Sequence, residues 1–144
     1  MKVSICSVTH VSGLKCYLCF SCTEGKPFEV WGGEQLRDFT YIDDAIDAFL
    51  LAAVSEEANG KVFNLGGCEV VSLRDLAGLL VAANGSGTFQ TLEFPADRKR
   101  IDIGDYQADD RLIRSELKWA PKINLQQGLA RTLDYFRKNL EHYL

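Results

Sequence analysis

"VWGGEQLRDFTYIDDAIDAFLLA", residues 30–52, decides the fold class. Apolar residues ending in Val30-Trp31 read as a short strand, closed by the Gly32-Gly33 turn signal. "LRDFTY" then alternates polar and aromatic positions and reads as extended. From Asp43 the period changes: Ile42, Ile46, Phe49, Leu50 and Ala53 recur at helical spacing. Asp43 and Asp44 fall in the first turn, where carboxylates suit the helix dipole. Strand, turn, extended segment and helix within one stretch predict an α/β chain. The same stretch holds a puzzle, because Arg37-Asp38 side by side are poor strand interior. The arginine is either a surface residue paired with a nearby carboxylate or is placed to meet a phosphate, whose oxygens match a guanidinium with two parallel hydrogen bonds.

Outward from there the pattern continues to mix helices and strands. Asn59-Gly60 ends the first helix, and "KVFNLGG", 61–67, reads as a strand running into glycines. Ser72 with Asp75 resembles a capping box for a helix faced by Leu76, Leu79, Leu80 and Ala83 and stopped at Asn84-Gly85. "TFQTLEF" predicts a strand and "PADRKRIDIGDY", 95–106, a loop. A short helix is expected from about Asp109 to before Pro121. Asn124 with Gln127 opens a last helix faced by Leu125, Leu129, Leu133, Phe136 and Leu140. Residues 1–25 show no sustained period, and no linker or repeat divides the chain.

At 144 residues the chain fits one domain, with a hydrophobic share of 47% and a charged share of 25%. A formal charge of -4 argues against nucleic acid or an anionic membrane as partner. No apolar run approaches the roughly 18 residues of a membrane span. The N-terminus has a leader-like tinge, but Lys15 interrupts it and no small-x-small cleavage site follows, so a cytoplasmic location is expected. Four of the five cysteines, Cys6, Cys16, Cys19 and Cys22, lie in the first 22 residues. Cys16-x-x-Cys19-x-x-Cys22 resembles part of an iron–sulfur run, with Cys6 or His10 as a fourth ligand. The run is incomplete, since Lys26 stands where a bacterial ferredoxin has its last cysteine, and reduced thiols without a metal are the expectation.

A second concentration of chemistry is "DRKRIDIGDY", 97–106. Arg98, Lys99 and Arg100 are nearly cancelled by Asp97, Asp102 and Asp105, which suits a solvated loop or a small charged ligand better than nucleic acid. No Gly-x-x-Gly-x-x-Gly stands between a strand and a helix, so the chain offers no dinucleotide pyrophosphate cradle of its own. None of the tyrosines has a lysine four residues later: Ser21, Ala45, Asp110 and Asn139 hold those positions, and Tyr143 is too near the end. His10 and His142 stand at opposite ends, with no acid–base constellation beside them. These residues by themselves support a phosphate- or carboxylate-binding surface and no active site.

Four stretches together, "FEVWGGEQLRDFTYIDDAIDAFLLA", "VFNLGG…VSLRDLAGLL", "RKRIDIGDYQAD" and "LKWAPKINLQQGLARTLDYF", resemble the C-terminal part of the NAD-dependent nucleotide-sugar epimerases and dehydratases. These are extended short-chain dehydrogenases, UDP-glucose 4-epimerase among them. The resemblance spans about residues 24–140, in the family's order and spacing. It implies an α/β fold: the C-terminal substrate-binding portion of an extended Rossmann-type enzyme, with the N-terminal dinucleotide-binding sheet missing. Residues 1–23 are expected as a segment unlike the family, and 24–144 as the nucleotide-sugar-binding portion. The resemblance further implies that Arg37 contacts the pyrophosphate of a nucleotide-diphosphate sugar, with Phe39 the aromatic beside the phosphates. The backbone around Glu29 and Trp31 would lie against the nucleobase. The second phosphate-binding arginine falls on Arg98, with Arg100 its rival, and Asp102 and Tyr106 match the aspartate and tyrosine that follow. Arg111-Leu112 departs from the family's usual Ser-Lys.

The family's reaction is hydride transfer between NAD and the sugar C4, with the tyrosine of a Tyr-x-x-x-Lys pair as acid–base. The resemblance thus implies a binding half that neither binds NAD nor turns over substrate alone, from a split or truncated enzyme. The alternatives are a non-catalytic nucleotide-sugar-binding or partner subunit, and a small metal protein on the cysteine cluster. Val62, Phe63 and Leu65 make a nearly continuous apolar strand suited to a sheet covered on both faces. Its edge and one face of the preceding helix should lack cover, predicting self-association or a partner carrying the Rossmann half. The escape is a replacement strand from residues 1–23, around Tyr17 to Phe20.

Overall fold

A computed structural model describes residues 4–6, 12–100 and 102–142. The elements, in order, are β1 (Ser4–Cys6), α1 (Ser12–Thr23), β2 (Phe28–Trp31), β3 (Leu36–Asp38), α2 (Ile42–Val54), β4 (Val62–Asn64), β5 (Val70–Ser72), α3 (Leu73–Asn84), β6 (Phe89–Leu92), α4 (Ala96–Lys99), α5 (Arg111–Leu117) and α6 (Leu125–Asn139). The strands pair as β1 with β4, β2 with β6 and β3 with β5. The chain forms two compact units: Met1–Val8, Asp38–Val70 and Gln107–Leu125 make the first, and Thr9–Arg37, Val71–Tyr106 and Gln126–Leu144 the second. No described helix is long and apolar enough to cross a membrane.

In the first unit β1 lies parallel to β4, with Ser4 opposite Val62 and Cys6 opposite Asn64. The edge of the apolar strand is therefore paired, and by an N-terminal strand. That strand is Ser4–Cys6, whereas the apolar run Tyr17 to Phe20 lies within α1. Phe63 and Leu65 pack with Ala48, Ala52, Ala58, Ile113, Leu117 and Trp119 in one core. α2 turns a different face inward from the one its large apolar residues predict. Asp44, Ala48 and Ala52 are its buried residues, while Ile42, Ile46, Phe49, Leu50 and Val54 are exposed. The reason is steric: an alanine face lets the α2 backbone approach Phe63 and Trp119 closely. Asp44 serves as a clasp, since its carbonyl accepts from Trp119 Nε1 at 3.0 Å and its carboxylate accepts from Ile123 N at 3.0 Å.

In the second unit β2 lies parallel to β6, Phe28 opposite Phe89 through Trp31 opposite Leu92, with the first pair of rings stacked at 5.9 Å. α1 is a full helix where the sequence shows no period, and it buries Leu18, Cys19 and Cys22. α3 begins as its capping residues predict, Ser72 Oγ accepting from Asp75 N at 3.0 Å, and ends at Gly85 in the left-handed conformation. Its buried face is Leu73, Leu76, Ala77 and Leu80. α6 buries Leu129, Leu133 and Phe136 as predicted. Asn84 joins the helices: its amide donates to Cys22 O at 2.7 Å, and its oxygen accepts from Arg137 Nη2 at 2.7 Å.

The Asp44 clasp can be tested. Asp44→Ala removes a buried acceptor from Ile123 N and should cost about 1–3 kcal/mol in urea unfolding. Asp47→Ala removes only a solvent-exposed pair with Lys122 and should cost about 1 kcal/mol or less.

Candidate functional site

β3 is three residues long, and its alternation turns the middle side chain inward: Arg37 is 7% exposed between the exposed Leu36 and the half-buried Asp38. A buried guanidinium must find acceptors or it is destabilising. Arg37 Nη1 donates to its neighbour Leu36 O at 2.8 Å and to Gly104 O, and Nη2 donates to the Asp102 carboxylate at 3.4 Å. The loop carrying those acceptors is shaped for the purpose. Gly104 adopts a φ of 68°, and its N donates to Asp102 Oδ2 at 3.2 Å. Asp105 Oδ1 accepts from Leu36 N at 2.8 Å, and Tyr106 N donates to Leu36 O at 3.0 Å. Arg37 and Tyr106 thus form a parallel bridge. Two runs nearly seventy residues apart in sequence, around Arg37 and around Asp102 to Tyr106, meet here.

The other candidate residues take different positions. Glu29 and Trp31 are the exposed residues of β2, alternating with buried Phe28 and Val30, and Trp31 meets the Phe94 ring edge-on at 6.4 Å. Arg98 and Arg100 are exposed, at the end of α4 and just after it, and Arg98 Nε lies 3.9 Å from the Asp97 carboxylate. α4 is a short helix where the charge run predicts a loop. Phe39 is half-buried in the first unit. There Asp38 does what Arg37 does in the second unit, its carboxylate accepting from Gly67 N at 3.3 Å and Ala108 N at 3.1 Å. The backbone approach is close enough that a Cβ on Gly67 would stand 2.4 Å from Phe39 O, so glycine is required.

Two residues of the network, Gly104 and Asp105, are absent from the sequence-derived candidates. Their signal is present in "DIGD", an aspartate followed by a glycine-containing turn, but aspartates there are also expected in any solvated loop. At the start of α5 the unusual Arg111 has a local role. It donates twice to Asp109, at 2.8 and 2.6 Å, and these hydrogen bonds hold that carboxyl down to about 2. Asp109 thus stays ionised across the physiological range.

Neither Cys22 nor Cys68 is an activated thiol. Burial pushes Cys22 up, and its Sγ donates to Leu80 O at 3.8 Å. Cys68 is pushed up by burial first and then by Asp44 and Glu69. Among the described residues no three His, Cys, Asp or Glu gather to hold a metal. His10 and the side chains of Cys6 and Cys16 lie outside the described residues.

Comparison with known proteins finds similar chains. Residues 9–66 match the model of the NAD dependent epimerase/dehydratase family. The chain is 33% identical over 107 residues to a dTDP-glucose 4,6-dehydratase of Streptomyces griseus, covering 74% of this chain and 32% of that one. It is 31% identical over 114 residues to a UDP-glucose 4-epimerase of Mycolicibacterium smegmatis, covering 78% and 35%. Among solved structures, a UDP-glucose 4-epimerase of Thermotoga maritima with UDP-glucose superposes with a TM-score of 0.76 at 25% identity, over 96% of this chain and 45% of that one. A UDP-glucuronic acid 4-epimerase of Bacillus cereus with NAD gives 0.68 at 31% identity, over 85% and 36%. The chain spans about a third of the length of these curated relatives. Over these stretches it is similar to members of the NAD-dependent epimerase/dehydratase family.

Proposed function

We propose that this chain is the nucleotide-sugar-binding portion of an NAD-dependent epimerase/dehydratase and is not catalytic alone. The observation that carries the reading is the meeting of Arg37 with Asp102 and Tyr106, residues the family resemblance assigns to the diphosphate end of the ligand. On this reading the backbone at Glu29 and Trp31 faces the nucleobase, Arg37 and one of Arg98 and Arg100 take the diphosphate, and Phe39 lies beside the phosphates. The ligand is a nucleotide-diphosphate sugar, and the setting is cytoplasmic. The relatives' names support the ligand class: the Thermotoga enzyme is seen with UDP-glucose.

NAD is the family's cofactor, and when bound it would supply the hydride chemistry. The residues described here do not fit its pyrophosphate. Gly32-Gly33 leads into strand β3, not into a helix N-terminus. Gly66-Gly67 follows β4, but Asp38 Oδ2 accepts from Gly67 N, and a Cβ on Gly66 would stand 2.9 Å from the Asp110 carboxylate. Two carboxylates at a glycine pair repel a pyrophosphate. With no Tyr-x-x-x-Lys pair in the sequence either, no hydride step runs through these residues.

Calorimetry with UDP and dTDP should therefore detect nucleotide binding, while NAD gives no heat and no UDP- or dTDP-hexose is converted. Binding of NAD or turnover by the isolated chain overturns the reading.

Arginine variants then separate ligand contact from scaffold. Arg98→Ala or Arg100→Ala, whichever bears the phosphate, should weaken UDP by the loss of a charge-assisted hydrogen bond, about 1.5–3 kcal/mol. Amide exchange at Leu36 and Tyr106 should stay slow in both. Arg37→Ala should weaken UDP and also speed exchange at those two amides, because it frees the loop. Arg114→Ala, whose partner is Asp110 in the same helix turn, should change neither.

A further inference from the structure

We propose that Asn59-Gly60 is a self-modifying site, where the Gly60 amide closes on the Asn59 carboxamide, and that the fold holds the chain's other Asn-Gly pair, Asn84-Gly85, unreactive. These are the two places where asparagine precedes glycine. Glycine presents its amide nitrogen with no side chain in the way, and a Cβ at Gly60 or at Gly85 would meet nothing within 4 Å. Both glycines take a positive φ, 74° and 75°, so backbone shape and steric access are alike at the two pairs. Hydrogen bonding is what differs. Asn59 is exposed and follows a single 3-10 turn, Glu56–Ala58, with a φ of -60° and a ψ of 124°. Its own amide donates to Glu56 O at 3.0 Å. Among the described residues neither its carboxamide nor Gly60 N has a hydrogen-bond partner. One backbone bond, Lys61 N to Ala58 O at 3.2 Å, closes the turn over the pair. Rotation about ψ of Asn59, which carries Gly60 N toward Cγ, is opposed by that bond alone.

Asn84 is half-buried and tied at each polar atom the reaction would use. Its Nδ2 donates to Cys22 O at 2.7 Å and reaches Ser86 O and Oγ at 3.1 Å. Its Oδ1 accepts from Arg137 Nη2 at 2.7 Å. The nucleophile there, Gly85 N, donates to Val81 O at 3.0 Å and Ala82 O at 3.3 Å. Bringing Gly85 N onto Cγ would undo the end of α3 together with these side-chain ties, a local opening that Asn59 does not need. At Asn59 the chemistry requires only water. Gly60 N gives up its proton and bonds to Cγ, the Cγ–Nδ2 bond breaks, and ammonia leaves with a proton, closing a cyclic imide. Water then opens the ring. Attack at Cγ restores the normal chain with aspartate at 59, and attack at the main-chain carbonyl leaves isoaspartate, the chain now running through Cγ. Ammonia departs and water enters, with no change of oxidation state. Either product sets a new carboxylate near exposed Glu56 and Glu57. Isoaspartate also adds a carbon to the chain just before β4, between buried Ala58 and buried Phe63, and so costs the Lys61 N to Ala58 O closure.

Peptide mass spectrometry of the full chain, aged in heavy-oxygen water at mildly alkaline pH, tests the proposal, because each opened ring takes up one heavy oxygen. In the folded chain Asn59 should convert at least about tenfold faster than Asn84, the rate ratio that about 1.4 kcal/mol of extra barrier produces. In urea the two should convert at similar rates, which assigns the difference to the fold. Conversion at 59 should quicken as pH rises, since the amide nitrogen reacts after losing its proton, and its product should include isoaspartate. Arg137→Ala, which frees Asn84 Oδ1, should speed conversion at 84 and leave 59 unchanged. Asn59→Gln keeps the amide but moves it one carbon further out. It should abolish conversion at 59 and, with it, the fall in urea midpoint that ageing causes in the unsubstituted chain. Equal rates in the folded chain, faster conversion at 84, a ratio that survives in urea, or a product at 59 free of isoaspartate overturns the proposal.

Discussion

The structure depends on one dipeptide that is bonded in two directions. Arg37 donates to Leu36 O, Gly104 O and Asp102, and so draws the 102–106 loop against β3. Asp38, the next residue, accepts from Gly67 N and Ala108 N. The first set of bonds lies wholly in one unit and the second wholly in the other. An apolar side chain at either position would forfeit these bonds, two carbonyls for Arg37 and two amides for Asp38. Hydrogen bonds to a charged partner are stronger than neutral ones, about 1.5–3 kcal/mol each. A salt bridge alone would be a weaker reason for this arrangement, since the Arg37–Asp102 distance of 3.4 Å is long. The carbonyl and amide partners fix the geometry, and the opposite charge makes the buried guanidinium tolerable.

Much of the fold was legible because its helices carry end signals: Ser72 with Asp75 and then Gly85 bounds α3, and the leucine period of α6 states its buried face. Three features were not. β1 is three residues long, too short for any period to register. α1 hid behind its cysteines. Cys19 and Cys22 stand three apart, which fits a metal-ligand spacing and one turn of helix equally, and both are buried, as are Leu18 and Ser21. The large apolar residues of α2 predict its inner face, yet Ala48 and Ala52 are the buried ones. Small residues face inward where a helix must come close, and the period alone cannot rank a stripe of alanines against a stripe of Ile, Phe and Leu.

The site was legible to a different degree. Arg37, Asp102 and Tyr106 were picked out through resemblance, and they meet. Composition alone reached only an anion-binding surface, because "DRKRIDIGDY" balances its charges and gives no hint of which carboxylate turns inward. Asp102 and Asp105 have equal claims in the sequence. What separates them is the left-handed Gly104 between them, which lets one carboxylate reach Arg37 Nη2 while the next receives Leu36 N. Such selection by backbone shape is invisible to charge counting.

That geometry also constrains how a diphosphate would be held under the proposed function. Arg37 and Asp102 together are formally neutral, so the pair supplies directed donors but little net field. The negative charge of a diphosphate would then have to be met by the exposed cations of the same unit, Arg98, Lys99 and Arg100, on and just after α4. Exposed cations attract an anion at long range but are screened by salt, with a Debye length of about 8 Å at physiological ionic strength. Buried directed donors are screened much less. Under the proposed function the two arginine positions would therefore divide the work: the α4 cations would govern capture and its salt dependence, and Arg37 would govern register. Under that reading an aspartate beside the arginine would lose attraction and gain a fixed orientation, which is what placing a sugar for chemistry demands.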